Sequence, residues 1–236
     1  MFDKLKKDVF RANKLLKEYN LVTLTWGNAS QIDRNSGVIA IKPSGVGYDK
    51  LKVDDIVIVD LNGNIREGDN KPSSDTASHI ELYNHFQEIG GVVHAHSKYA
   101  TIFAQAAKEI PCFGTTHADT FFGTVPLTRK LTKQEVSDDY EKWTGTVIAE
   151  RFLKGRLKPL EMPGVLVYSH GPFSWGKNAL KAVENALILE YVAEMALFTR
   201  LLNSKTVSID PALLNKHYSR KHGKDAYYGQ PVRKKK

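Results

Sequence analysis

The sequence predicts an α/β protein of three layers folded as a single domain, and three observations predict it. β-branched runs recur along the chain, apolar positions at helical spacing lie between them, and no internal repeat or low-complexity linker divides the 236 residues. With 42% hydrophobic residues the chain can bury a sizeable core. These patterns leave the strand order open.

Taken in order, Phe2, Leu5, Val9, Ala12, Leu15, Leu16 and Tyr19 describe an amphipathic first helix that Asn20 can end. Gly37–Lys42 and Asp55–Leu61 read as strands, the second followed by the hairpin signal Asn62-Gly63-Asn64. Ser73 to Asp75 offer an N-cap for a helix with apolar positions at Ile80, Leu82, Tyr83 and Phe86. A strand carrying His94 and His96 follows, then a short helical segment from Thr101 to Lys108. Thr115 to Glu141 is polar and broken by Gly, Thr and Pro, so it reads as loop; a helix near Gly145–Leu153 and a strand ending at His170 come next. From Lys177 to about Leu202 the chain is rich in Ala and Leu and apolar over most of a helical surface, which predicts burial on several sides.

Composition narrows the function. A single cysteine, Cys112, excludes an internal disulfide and a thiolate zinc cluster and fits a reducing compartment, so any metal must be held by His and carboxylate. No window approaches the roughly 18 uninterrupted apolar residues of a membrane span, and the charged start Met1-Phe-Asp-Lys-Leu-Lys-Lys has no apolar signal core behind it. A cytoplasmic protein with no membrane partner is expected. The net charge of +8 would point to nucleic acid if it were spread over the fold, but Asn215–Lys236 holds eight Lys or Arg against one Asp and accounts for nearly all of it. Arg233-Lys-Lys-Lys236 reads as a solvated basic end, and no nucleic-acid partner is expected.

The chemistry centres on histidine. In Gly-Gly-Val-Val-His94-Ala-His96-Ser two imidazoles stand two residues apart on a β-branched run, and side chains at i and i+2 of a strand share a face. His170 closes a second run, Val165-Leu-Val-Tyr-Ser-His170. A histidine on an apolar strand is ordinarily a satisfied core residue, and spacing alone does not make the two runs neighbours. Three imidazoles with an open fourth position would describe a catalytic metal site better than a structural one.

Three segments have the small, polar composition that lets backbone N–H groups approach a phosphate: Trp26-Gly27-Asn28, Lys42-Pro43-Ser44-Gly45 and Pro72-Ser73-Ser74-Asp75. Each also reads as an ordinary turn, and Ser73 or Ser74 as a helix cap. Asp119 and Tyr228 sit on polar segments where packing does not demand them; they are surface residues, or a base and an acid for proton transfer beside a metal-polarised carbonyl.

The runs TLTWGN (Thr23–Asn28), IKPSGV (Ile41–Val46), KPSSDT (Lys71–Thr76), VVHAHS (Val92–Ser97), GTTHAD (Gly114–Asp119), MPGVLVYSHGPFSWGKN (Met162–Asn178), KHYSRKHG (Lys216–Gly223) and AYYGQ (Ala226–Gln230) resemble the L-ribulose-5-phosphate 4-epimerases of the class II aldolase and adducin-head superfamily. The resemblance runs over residues 1–230 and leaves 231–236 as a basic appendage. It implies the three-layer α/β/α architecture of that superfamily in one domain. It implies zinc ligands at His94, His96 and His170 with Asp75 at or beside the metal, manganese or cobalt being possible substitutes. It implies phosphate contacts at Gly27, Asn28, Ser44, Gly45, Ser73 and Ser74, and an acid/base pair at Asp119 and Tyr228 supplied by the neighbour in a cyclic homotetramer. The implied reaction interconverts L-ribulose 5-phosphate and D-xylulose 5-phosphate by retro-aldol cleavage and re-addition of glycolaldehyde phosphate to a metal-bound enediolate.

Two rivals differ in stated residues. Sugar-phosphate aldolases of the L-fuculose 1-phosphate type carry the longer Glu where this chain has Asp75, and a non-catalytic adducin-like interaction domain would lack the histidine triad.

Overall fold

The computed structural model describes residues 2–224, 226 and 227. Among these residues seven strands form one antiparallel sheet: β1 (Asn28–Asp33), β2 (Val38–Ile41), β3 (Val57–Asp60), β4 (Ile65–Glu67), β5 (Gly91–His94), β6 (Gly164–Val167) and β7 (Gly171–Gly176), in the order β4-β3-β2-β1-β5-β7-β6. Among the described residues the helices are α1 (Asp3–Glu18), α2 (Thr76–His85), α3 (Lys98–Gln105), α4 (Thr115–Ala118), α5 (Lys133–Ser137), α6 (Tyr140–Gly155), α7 (Ala179–Leu202) and α8 (Pro211–His222).

The period of two in the strands sorts side chains into two cores. Ile39, Val57, Val59 and Val92 face one side, where Ile80, Leu82 and Tyr83 of α2 and Ile148 and Phe152 of α6 pack. Ala40, Ile58, Val93 and Ala95 face the other, against Val9, Ala12 and Leu16 of α1 and Ala179–Ala186 of α7. The three-layer expectation holds, and no helix among the described residues is long and apolar enough to cross a membrane.

Several elements differ from the sequence reading in ways that position the site. β1 is absent from that reading because Asn-Ala-Ser-Gln-Ile-Asp carries polar residues on buried positions; Asn28 and Ser30 are both buried within the sheet. β5 stops at His94, so His96 lies just past the strand, on the connection to α3. His170 lies in the turn between β6 and β7, and β5 pairs with β7 rather than β6, with His94 opposite Phe173. That turn includes Ser169 in the left-handed region at φ 55°. The segment Thr115–Glu141 contains the short helices α4 and α5, and α8 has no counterpart in the sequence reading because it buries no residue from which a core pattern could be read. One face of α7 packs inward through Ala182, Val183, Ala186, Leu189, Val192, Ala193 and Ala196, whereas Tyr191, Met195, Phe198, Leu201 and Leu202 are exposed. The apolar helix is thus buried on fewer sides within one chain than its composition predicts.

Candidate active site

At one end of the sheet the start of β1, the end of β5 and the β6–β7 turn meet the first residues of α2. A cavity of about 430 Å³ opens there, lined by His94, His96, His170, Asp75, Gly27, Asn28, Ser44, Gly45, Ser73 and Ser74, together with Thr25, Trp26, Lys42 and Pro43. Every residue singled out for metal or phosphate contact therefore shares one pocket.

The three imidazoles converge, with one ring nitrogen from each lying within 4.8 Å of the others. His94 and His96 bring their Nε2 atoms to 3.1 Å. His94 Nδ1 is 3.1 Å from the carbonyl of Pro172, which can only accept, so Nδ1 carries the proton and the Nε2 lone pair faces the site. Burial, reinforced by the neighbouring His96, holds the His94 pKa down at about 3; burial and the other two imidazoles do the same for His170, also at about 3, and burial lowers His96 against the pull of Asp75. The rings are neutral donors at pH 7. Phe173 stacks on His94 at 4.3 Å, and Tyr140 places its hydroxyl 3.1 Å from His170 Nδ1.

Asp75 occupies the N-cap position of α2, yet its side chain makes no capping bond. The expected cap is missing because the carboxylate is turned to Asn28, whose Nδ2 donates to Oδ2 at 2.6 Å and to Ser73 Oγ at 3.0 Å. Antiparallel pairing sets Asn28 directly opposite His94. Sheet register thus brings the amide that holds Asp75 next to an imidazole. Gly27, one residue earlier, has φ +81°, and a Cβ there would stand 2.8 Å from the His94 carbonyl oxygen; only glycine fits this wall.

The two serine loops are locked to each other. Ser44 N–H donates to the carbonyl of Lys71 and Ser73 N–H to that of Lys42, bridging Pro43 and Pro72. Those two backbone donors are spent inside the protein. Ser44, Gly45, Ser73 and Ser74 all line the cavity. Lys42 adds a charge that the sequence reading did not assign to the site: it is 2% exposed, its Nζ lies 4.9 Å from the Tyr48 ring centroid, and burial lowers its pKa to about 8 against the opposing pull of Asp75, so it stays mostly protonated at pH 7. A lysine directly after an apolar strand run was the available signal. Tyr140, opening α6 in a polar stretch, carried none.

Residues 7–197 match the family described as Class II Aldolase and Adducin N-terminal domain. The chain belongs to that family. Among solved structures this class II aldolase family chain is similar to an L-fuculose 1-phosphate aldolase, at 25% identity and TM-score 0.77, over 92% of this chain and 95% of that one. An L-fuculose 1-phosphate aldolase from Glaciozyma antarctica matches at 17% identity and TM-score 0.75, over 92% of this chain and 81% of that one. One from Thermus thermophilus matches at 22% and 0.66, over 87% and 98%. These last two attest the fold alone.

Within a single class II aldolase family chain, Asp119 does not line the pocket. It ends α4 and is gripped by α8: Arg220 Nη2 at 2.7 Å and Nε at 3.2 Å, His217 Nδ1 at 3.1 Å and Lys221 Nζ at 3.3 Å. Burial pushes the Asp119 pKa up, but the bonds from Arg220 and His217 and the Lys221 charge outweigh it, and the net shift is downward. Tyr228 and residues 231–236 lie outside the described residues.

Proposed function

We propose that the protein inverts C4 of a phosphorylated ketopentose, interconverting L-ribulose 5-phosphate and D-xylulose 5-phosphate, with a divalent metal held by His94, His96 and His170 and Asp75 at or beside it. The observation that carries this reading is Asp75: a short carboxylate, released from capping α2 and fixed by Asn28 at 2.6 Å, in the same pocket as three neutral imidazoles. The donor set fits zinc, and manganese or cobalt less selectively, because neutral imidazole and carboxylate suit all three. When bound, such an ion would polarise the C2 carbonyl and C3 hydroxyl oxygens and stabilise negative charge developing there.

The chain's own residues do the rest. The hydroxyls of Ser44, Ser73 and Ser74, with Gly27, Asn28 and Gly45, hold the phosphate, and protonated Lys42 offsets its charge. That grip retains the two-carbon aldehyde once the C3–C4 bond has broken, so it can turn its other face before the bond re-forms. One proton leaves the C4 hydroxyl as the bond breaks and one returns to the aldehyde oxygen as it re-forms; Asp119 and Tyr228, brought by a neighbouring subunit of a cyclic homotetramer, take these two roles. Assembly is supported by the exposed Tyr191, Met195, Phe198, Leu201 and Leu202 of α7.

An aldolase reading is favoured by the 25% match to an L-fuculose 1-phosphate aldolase. It predicts release of both fragments. Purified protein incubated with L-ribulose 5-phosphate tests the proposal: D-xylulose 5-phosphate without free glycolaldehyde phosphate supports epimerisation, stoichiometric glycolaldehyde phosphate supports cleavage, and no turnover by metal-loaded protein overturns the epimerase reading.

A further inference from the structure

His96 lies on the three-residue connection between β5 and α3, outside any ladder. On its upstream side Ala95 N–H donates to the Pro172 carbonyl at 3.3 Å. On its downstream side the chain enters α3 through Ser97, whose side chain makes no capping bond although the residue is buried. The first turn of a helix has donors that its own carbonyls cannot reach, and here a residue from another helix takes two of them. Glu190, in the middle of α7, accepts Tyr99 N–H at 2.8 Å through Oε1 and Ala100 N–H at 3.0 Å through Oε2. A carboxylate at that place also meets the positive end of the α3 dipole.

We infer that Glu190 is a positioning residue for the metal centre, acting as a tertiary cap that fixes the start of α3 and, through it, the direction of His96. The inference rests on His94, His96 and His170 being the metal ligands. Glu190 does not line the pocket and touches no ligand directly. Its two acceptors clamp the backbone three and four residues beyond His96, and Ala95 clamps it one residue before. Removing the downstream clamp frees the connection to pivot, so the His96 ring loses its set angle while His94, inside the sheet, and His170 keep theirs. Groups hydrogen-bonded directly to a metal ligand typically change metal affinity by about 10–100-fold, and Glu190, acting one step further out, is expected at the lower end of that range.

The test is cobalt titration of chelator-stripped full-length protein, following the visible d–d bands, which report ligand geometry independently of turnover. Wild type, Glu190→Ala, Glu190→Gln and the control Glu184→Ala, an exposed partner of Lys181 on the same helix, are compared. Expected are a Co2+ affinity about 10-fold weaker in Glu190→Ala, the lower end for supporting groups, with altered band positions, an intermediate loss in Glu190→Gln, which keeps one acceptor, and no change in Glu184→Ala. Should Glu190→Ala fail to fold, Glu190→Gln carries the comparison. Wild-type affinity and spectrum in folded Glu190→Ala, or in Glu190→Gln where only it folds, overturn the inference and leave the metal reading intact. A wild-type chain that takes up no Co2+ overturns the metal reading and this inference with it.

Discussion

Asn28 and Asp75 form the joint of the site: Asn28 Nδ2 donates to Asp75 Oδ2 at 2.6 Å, tying the first residue of β1 to the N-cap of α2. Asn28 is 1% exposed and sits opposite His94 in the sheet, so the carboxylate inherits the rigidity of the sheet's centre. A hydrogen bond to a charged group of this kind is worth about 1.5–3 kcal/mol.

Lengthening Asp75 breaks this joint. In Asp75→Glu the carboxylate moves by about 1 Å or more, and a displacement of that size costs a positioned reaction about a hundredfold. Epimerisation is expected to fall by about that factor while the ratio of free glycolaldehyde phosphate to D-xylulose 5-phosphate rises. Product ratios by chromatography decide it, and an unchanged ratio counts against a special role for the shorter side chain.

Gly27 and Gly37 separate backbone strain from collision. Both have positive φ, +81° and +64°, but a Cβ at Gly37 meets nothing within 4 Å whereas one at Gly27 meets the His94 carbonyl oxygen at 2.8 Å. Gly37→Ala is expected to cost only the left-handed penalty, about 1–2 kcal/mol. Gly27→Ala adds overpacking of about 1–3 kcal/mol and lowers metal content by shifting the end of β5. Urea midpoints and metal analysis of the pair check this; equal losses in both would mean that the wall behind His94 yields.

The Asp119 cluster sets an acid dependence for α8, which buries no residue and is held to the body by that carboxylate together with His222 on the Asp119 carbonyl and Tyr218 against Phe122. The pKa of Asp119 is depressed in the folded state. The stabilisation is therefore complete above the ordinary carboxylate value of about 3.9 and is lost as pH falls through the lower folded value. Hydrogen exchange of the α8 amides, corrected for intrinsic rate, is expected to show full protection at pH 7 that begins to decline below about pH 4 and is lost as pH falls through the lower folded value. Asp119→Asn should be poorly protected already at pH 7, and the two proteins should converge in acid. Protection of α8 that is the same in both proteins at pH 7 would show that other contacts hold the helix.

Much of this was legible because apolar period and motif chemistry agree. α1 and α7, with β2, β3 and β5, follow from their spacing, and Asn20 ends the first helix in the left-handed region at φ 55° as its side chain permits. The pocket's polar residues were legible as separate loops. Their union was not, since it depends on β7 coming between β5 and β6, and no local pattern records strand order. β1 escaped notice because its buried polar residues find their partners across the chain, Ser30 Oγ meeting His79 Nδ1 at 2.6 Å and Tyr83 OH at 2.8 Å. α8 escaped because ion pairs, hydrogen bonds and a ring contact, not an apolar stripe, hold it. Glu190 looked like one more polar position on a long helix; its role appears only when α3 is seen to begin without a cap of its own.

Metal analysis of purified wild type and the His94→Ala/His96→Ala double variant tests the histidine centre most directly. A pocket at the end of a preformed sheet does not hold the core together, so the double variant should fold, with the far-UV circular dichroism of wild type. The expected result is about one divalent ion per wild-type chain, as a single triad provides, and none in the folded double variant. Full metal stoichiometry in the double variant would contradict the assignment of the site.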